Sequence, residues 1–142
     1  MIRIGRRYRF SASHRLHAPE LSAERNREVF GKCNNPHGHG HDYVLELVVA
    51  GEPDPSTGLL LHTGALDRFV REAVLNDYDH RYMNEQIAAF RSLPPTTENV
   101  ALDIRRRLRD GWRDALPAGA CLESVRIFET RRNAVELDCQ ES

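Results

Sequence analysis

The chain has 142 residues and 16.2 kDa, and its 20 basic and 21 acidic side chains leave a net charge of −1 with histidine neutral. That size suits one domain spanning residues 1–142, and the near-zero charge argues against a general nucleic-acid or membrane-surface binder. No apolar run approaches the ~20 residues that would span a bilayer.

The N-terminal stretch Met1 to Arg7 lacks the apolar core of a signal peptide. Residues 2–13 read as a strand, with Tyr8, Phe10 and Ala12 alternating against Arg7, Arg9 and Ser11. Residues 18–36 are polar and broken by Pro19 and Pro36; a short helix from Ala23 to Phe30 is expected, stopped by Gly31. Residues 39–50 form a second strand with Tyr43, Leu45, Leu47 and Val49 on one face, and the turn-rich stretch Glu52 to Gly58 follows it.

Residues 64–76 carry a helical apolar stripe of Leu66, Phe69, Val70, Ala73 and Val74, with Thr63 as the expected cap. A loop holding Asp79-His80 runs to Pro94-Pro95. Thr96 or Thr97 then caps a helix to about residue 114, with Val100, Ala101, Ile104, Leu108 and Trp112 inward and Arg105, Arg106, Arg107 and Arg109 mostly toward water. Residues 121–129 and 134–138 are two closing strands. The order β-β-α-α-β-β predicts an α+β fold, a four-stranded antiparallel sheet with two helices on one face. Such a sheet leaves one face and two edges uncovered, which favours oligomerisation.

Histidine stands out, because five of the seven fall between positions 14 and 41. His39 and His41 are two apart on a strand and share a face, and His14 ends a strand able to pair with theirs. Three neutral histidines with an open fourth position are a catalytic zinc pattern. His17, His37 and His62 read as ordinary solvated or loop histidines. Cys33 sits in a polar turn beside Lys32, where a thiolate would be favoured; it reads as a base, a nucleophile or an incidental thiol. Cys121 and Cys139 lie in apolar strand contexts and read as core or incidental residues. Three distant cysteines without a C-x-x-C exclude a disulfide scaffold and imply a cytoplasmic, reduced protein. Asp79-His80 alone is a weak motif, and Thr97-Glu98 is first of all a helix start. Glu129 is a strand-end carboxylate that, if buried, could accept two N–H donors from a guanidine-like ligand edge.

These pieces together resemble the 6-pyruvoyl-tetrahydropterin synthase family. The carrying segments are Phe10-Ser11-Ala12-Ser13-His14-Arg15-Leu16 and the run from Gly31-Lys32-Cys33 through His39-Gly40-His41-Asp42-Tyr43. Asp79-His80, Thr96 to Val100 and Phe128-Glu129-Thr130 follow in the family's order. The resemblance implies zinc on His14, His39 and His41. It implies Cys33 as catalytic base in a proton relay with Asp79 and His80, and a pterin ring anchored by Glu129 with help from Thr97 and Glu98. It further implies the tunnelling fold, with three subunits closing a barrel, two trimers forming a homohexamer, and sites at subunit interfaces. The substrate implied is 7,8-dihydroneopterin triphosphate, with 6-pyruvoyl-tetrahydropterin as product. The related 6-carboxy-tetrahydropterin synthases of queuosine (7-deazaguanine) biosynthesis release acetaldehyde instead. The five residues between Cys33 and His39 match the 6-pyruvoyl type. A non-catalytic zinc- or pterin-binding module is the third alternative.

Overall fold

The structure, a computed structural model, describes residues 1–140. Its frame is two long strands, β1 (Ile2–His14) and β2 (His39–Gly51), paired antiparallel from Ile2 opposite Gly51 to His14 opposite His39. Alternation sorts their side chains. Phe10, Ala12, Tyr43, Leu45, Leu47 and Val49 turn to the core, the last four fully buried, while Arg3, Arg7, Glu46 and Asp42 turn away. Between them α1 (Ala23–Phe30) is capped by Ser22 and stopped at Gly31, whose φ of 56° is a left-handed value glycine tolerates. A 3-10 turn, Gly31–Asn34, follows.

The core face of the sheet is covered by helices. The first, α2 (Thr63–Val70), begins after His62, whose side chain makes no capping bond; Thr63 is its first residue and not its cap. The helix widens into a π turn at Arg71–Leu75 and ends as α3 (Asn76–Tyr78). Arg6 and Tyr8 of β1 both bond Asp67 of α2, at 2.7–3.0 Å, tying helix to sheet. The expected loop after Asp79 is more structured than the sequence implied. It contains β3 (Arg81–Tyr82), α4 (Met83–Gln86) and a 3-10 turn at Ala88–Arg91, with Met83, Ile87 and Phe90 buried.

The long helix α5 (Thr97–Ala115) is capped by Thr96, whose hydroxyl accepts from Asn99 N. β4 (Cys121–Phe128) and β5 (Ala134–Asp138) complete the sheet. Its strand order is β3-β1-β2-β4-β5. The sheet is thus five-stranded where four strands were expected, because two residues of β3 pair parallel with Ala12 and Ser13. No periodic signal marks so short a strand. Two further expectations change. Arg107 is not a solvent-facing residue: it reaches Asp103 at 2.9 Å, Asp77 at 2.6 Å and the Ala73 carbonyl at 3.3 Å. Of the two strand cysteines, Cys121 is exposed, while Cys139 is buried just past β5. No helix among the described residues is long and apolar enough to cross a membrane.

Under α5 lies a buried polar knot. Tyr78 donates its hydroxyl to Asp103 at 2.6 Å, and Arg106 and Arg107 donate to the same carboxylate. Burial pushes the Asp103 pKa upward, but the Tyr78 bond and the two guanidinium groups outweigh it and hold the carboxyl below its ordinary 3.8. A depressed carboxylate stabilises the fold above its unfolded pKa and loses that contribution as pH falls through the folded value. Asp103→Asn is expected to cost about 1–3 kcal/mol at pH 7. The gap to wild type should shrink as pH falls below 3.8, as measured by urea unfolding across pH.

Candidate active site

The register of β1 and β2 builds the centre. His14 lies opposite His39, Ala12 opposite His41, and Phe10 opposite Tyr43. All of these side chains share the helix-covered face. The three imidazoles stand edge to face, with ring centroids 4.6, 4.9 and 5.1 Å apart. One nitrogen from each lies within 4.8 Å of the other two.

The proton positions follow from the partners. His14 Nδ1 donates to the Pro95 carbonyl at 2.8 Å, since a carbonyl can only accept. That leaves the Nε2 lone pair facing His39 Nε2 at 3.1 Å. Burial lowers the His14 pKa to about 4, against the pull of the Pro95 carbonyl, and the neighbouring His39 and His41 lower it further. Burial and His41 lower His39 as well. His41 Nε2 is buried with no hydrogen-bond partner. An orphaned buried polar atom costs about 1–3 kcal/mol. Ring nitrogens that converge from three histidines, one of them buried without a hydrogen-bond partner, fit a shared cation. Three nitrogen donors on paired strands suit a divalent transition metal with room for a further ligand.

A carboxylate borders the cluster. Glu129 follows β4 directly, two residues past the inward Ile127, so alternation turns it to the same face. Its Oε1 is 3.4 Å from His41 Nε2, its other oxygen accepts from the Thr97 hydroxyl, and its side chain is only 16% exposed. With Thr96 serving as the cap, the buried Thr97 is free for this bond. The side chain of Glu98, one residue on, is exposed and makes no hydrogen bond or ion pair among the described residues.

The expected proton-relay residues are not assembled within one chain. Cys33 sits in the Gly31–Asn34 turn, its carbonyl accepting from Leu16 N at 2.9 Å. Asp79 takes the backbone N–H of Ser11 at 2.9 Å, and His80 N donates to the Ser11 carbonyl at 2.6 Å. The His80 φ is 60°, a left-handed value uncommon for a side chain with a Cβ. Its ring is 82% exposed and lines an open hollow of about 520 Å³. Ser11, Ser13 and Asp42, whose side chains leave the opposite sheet face from His14, line the same hollow. Among the described residues nothing bonds Cys33 to Asp79 or His80.

Sequence reasoning missed several supports. Tyr43 packs edge-on to His41 and His14, and its hydroxyl lies 3.4 Å from His14 Nδ1; burial raises its pKa. Its place two residues beyond His41 was a readable signal. Asn84 grips the residue after His14, accepting from Arg15 N and donating to Arg15 O, both at 2.8 Å. Gly38, with φ 72°, lies where a Cβ would stand 3.0 Å from the His14 carbonyl oxygen. His17 accepts from Asn34 Nδ2 at 3.1 Å, and His37 and His62 are exposed and outside the cluster.

Three histidines and a carboxylate at the end of an antiparallel sheet, beneath the start of a helix, define a candidate metalloenzyme centre. The family profile described as 6-pyruvoyl tetrahydropterin synthase matches residues 3–140. The human 6-pyruvoyl tetrahydrobiopterin synthase is 42% identical over 132 residues, 93% of this chain and 88% of that protein. A probable 6-carboxy-5,6,7,8-tetrahydropterin synthase of Halobacterium salinarum is 31% identical, over 86% of this chain and 77% of that protein. The solved 6-pyruvoyl tetrahydropterin synthase of Caenorhabditis elegans superposes with a TM-score of 0.88 at 34% identity, covering 96% of this chain and 94% of its own. The chain belongs to the 6-pyruvoyl tetrahydropterin synthase family, and its architecture is that family's tunnelling fold.

A metal bound to this cluster stabilises the native state by mass action. Added zinc is expected to raise the melting temperature of the wild-type chain and to be retained at about one equivalent per chain. His39→Ala and His41→Ala should each abolish both effects, as read by thermal melts and elemental analysis.

Proposed function

We propose that the chain is a zinc-dependent lyase that eliminates triphosphate from 7,8-dihydroneopterin triphosphate to give 6-pyruvoyl-tetrahydropterin. The observation that carries this reading is the convergence of His14, His39 and His41 with Glu129 only 3.4 Å from His41. The human and Caenorhabditis elegans relatives bear the synthase name, which supports the reaction class.

His14, His39 and His41 would hold the zinc. When bound, zinc supplies Lewis acidity to the hydroxyl oxygens of the substrate side chain and so acidifies the neighbouring C–H bonds. Glu129 accepts N–H donors from the guanidine-like edge of the pterin, and Thr97 fixes its orientation through the hydroxyl contact. Glu98, the next residue along the helix from Thr97, would assist this anchor.

Cys33, as thiolate, takes a carbon-bound proton from the side chain, and the electron pair left behind expels triphosphate. Internal redox transfer then yields the pyruvoyl group without a nicotinamide or flavin. Asp79 and His80 carry the proton onward. Because His80 lines a hollow with side chains of the opposite sheet face, this reading brings the relay pair from a neighbouring subunit. A homohexamer made of two trimers fits that need, and it fits the free edges of the sheet: β3 covers only Ala12 and Ser13 of β1, and β5 has no outer neighbour.

The Halobacterium relative keeps the carboxy reaction as the second reading. Incubation with 7,8-dihydroneopterin triphosphate and mass spectrometry separates the two. The expected products are triphosphate and a 6-pyruvoyl pterin; acetaldehyde with a 6-carboxy pterin would assign the chain to the other branch. Cys33→Ala should lower kcat by about 10²–10⁴-fold with zinc and pterin binding kept. Turnover untouched by that change would remove Cys33 as the base, whereas a wild-type chain that binds zinc and pterin without turnover would be only a binding module.

A further inference from the structure

The residues just beyond His14 are joined to the cysteine turn by four hydrogen bonds. Leu16 N donates to the Cys33 carbonyl at 2.9 Å, and the Leu16 carbonyl accepts from Asn34 Nδ2 at 2.7 Å. The same Nδ2 donates to His17 Nδ1 at 3.1 Å, and Arg15 Nε donates to the Asn34 carbonyl at 3.1 Å. Asn34 is 5% exposed. The 3-10 turn Gly31–Asn34 cannot continue a strand ladder, so the Asn34 side chain supplies the second donor that a strand neighbour would have given Leu16. Both hydrogens of its amide are used, and both partners are pure acceptors in this arrangement.

We infer that Asn34 is a positioning residue that fixes Cys33 relative to His14. His14 is held from the other side by its register with His39 and by Asn84 on Arg15. Leu16, two residues later, is held by Cys33 and Asn34 at both of its backbone groups. The distance from the thiol to the histidine cluster is therefore set by these four bonds, and the buried Asn34 amide supplies two of them. The catalytic meaning of that distance rests on the reading of Cys33 as the base; the placement itself does not.

Asn34→Asp is the informative change. It keeps the shape but has no N–H, and it sets a carboxylate against a carbonyl oxygen and a ring lone pair. Misplacement of a reacting group by about 1 Å can cost about 10²-fold. In Asn34→Asp, kcat for the triphosphate is expected to fall by about that factor, with KM within about twofold and zinc retained. A second readout needs no turnover: the alkylation rate of Cys33 relative to the exposed Cys121 in the same molecule should rise several-fold. Asn26→Ala is the control. Asn26 is fully buried and bonds Ala18, Leu21 and Ser22 but not the cysteine turn, so it should lower stability while leaving kcat and the alkylation ratio unchanged.

An unchanged alkylation ratio, or loss of zinc together with activity, overturns the inference. If Asn34→Asp does not fold, Asn34→Ser, uncharged and with one donor left, carries the same readouts. A wild-type chain that leaves the triphosphate unreacted, with the ratio still shifted by Asn34→Asp, retires the proposed reaction and keeps the placement.

Discussion

The register between β1 and β2 is the constraint on which the rest depends. Opposing His14 to His39 also opposes Phe10 to Tyr43 and puts Leu45, Leu47 and Val49 into the core. A slip of one residue would turn every one of these side chains to the other face. The apolar residues hold the register because leaving them in water is costly. Fully burying one large apolar side chain is worth about 1.5–3 kcal/mol. The histidine cluster, whose buried Nε2 on His41 is itself unfavourable, is carried at the end of this ladder and does not have to organise it.

A second element closes the centre. The lead into α5 delivers the Pro95 carbonyl to His14, and two residues later the Thr97 hydroxyl to Glu129. These contacts come from one short stretch, so helix placement sets ring orientation and carboxylate orientation together. The helix is in turn fixed by its buried stripe and by the Asp103 carboxylate, which holds Tyr78 and two arginines. Tyr78 immediately precedes Asp79 and His80. The core beneath the helices and the exposed Asp79-His80 pair at the sheet edge therefore share one anchored backbone.

Periodic features were legible in the sequence. The alternation of residues 2–13 and 39–50 located both long strands, and the apolar spacing of residues 97–114 located α5. From the strands followed the shared face of His39 and His41 and the opposing position of His14. Features held by single hydrogen bonds were not legible. β3 is two residues long, Pro95 acts through a backbone carbonyl that no side-chain pattern reveals, and Asn34 and Asn84 act through amides facing backbone far away in sequence. Arg107 looked like one of a run of solvent arginines because two of its partners, Ala73 in the π turn and Asp77 on α3, are distant in the chain. The exposed position of His80 at a backbone turn with positive φ is likewise something composition does not encode.

The bond from His14 to Pro95 has a consequence for charge balance. A carbonyl orients the ring as firmly as a carboxylate would but brings no negative charge with it. The candidate ligands are three imidazoles, none of which brings a negative charge, and Glu129 stands beside His41, engaged by Thr97. A dication held there would meet negative charge from the neighbouring Glu129 and none from the rings themselves. Such a centre favours an incoming oxygen donor that can shed a proton over one that cannot. The choice of a neutral backbone acceptor thus sets how strongly the pocket polarises whatever completes its coordination.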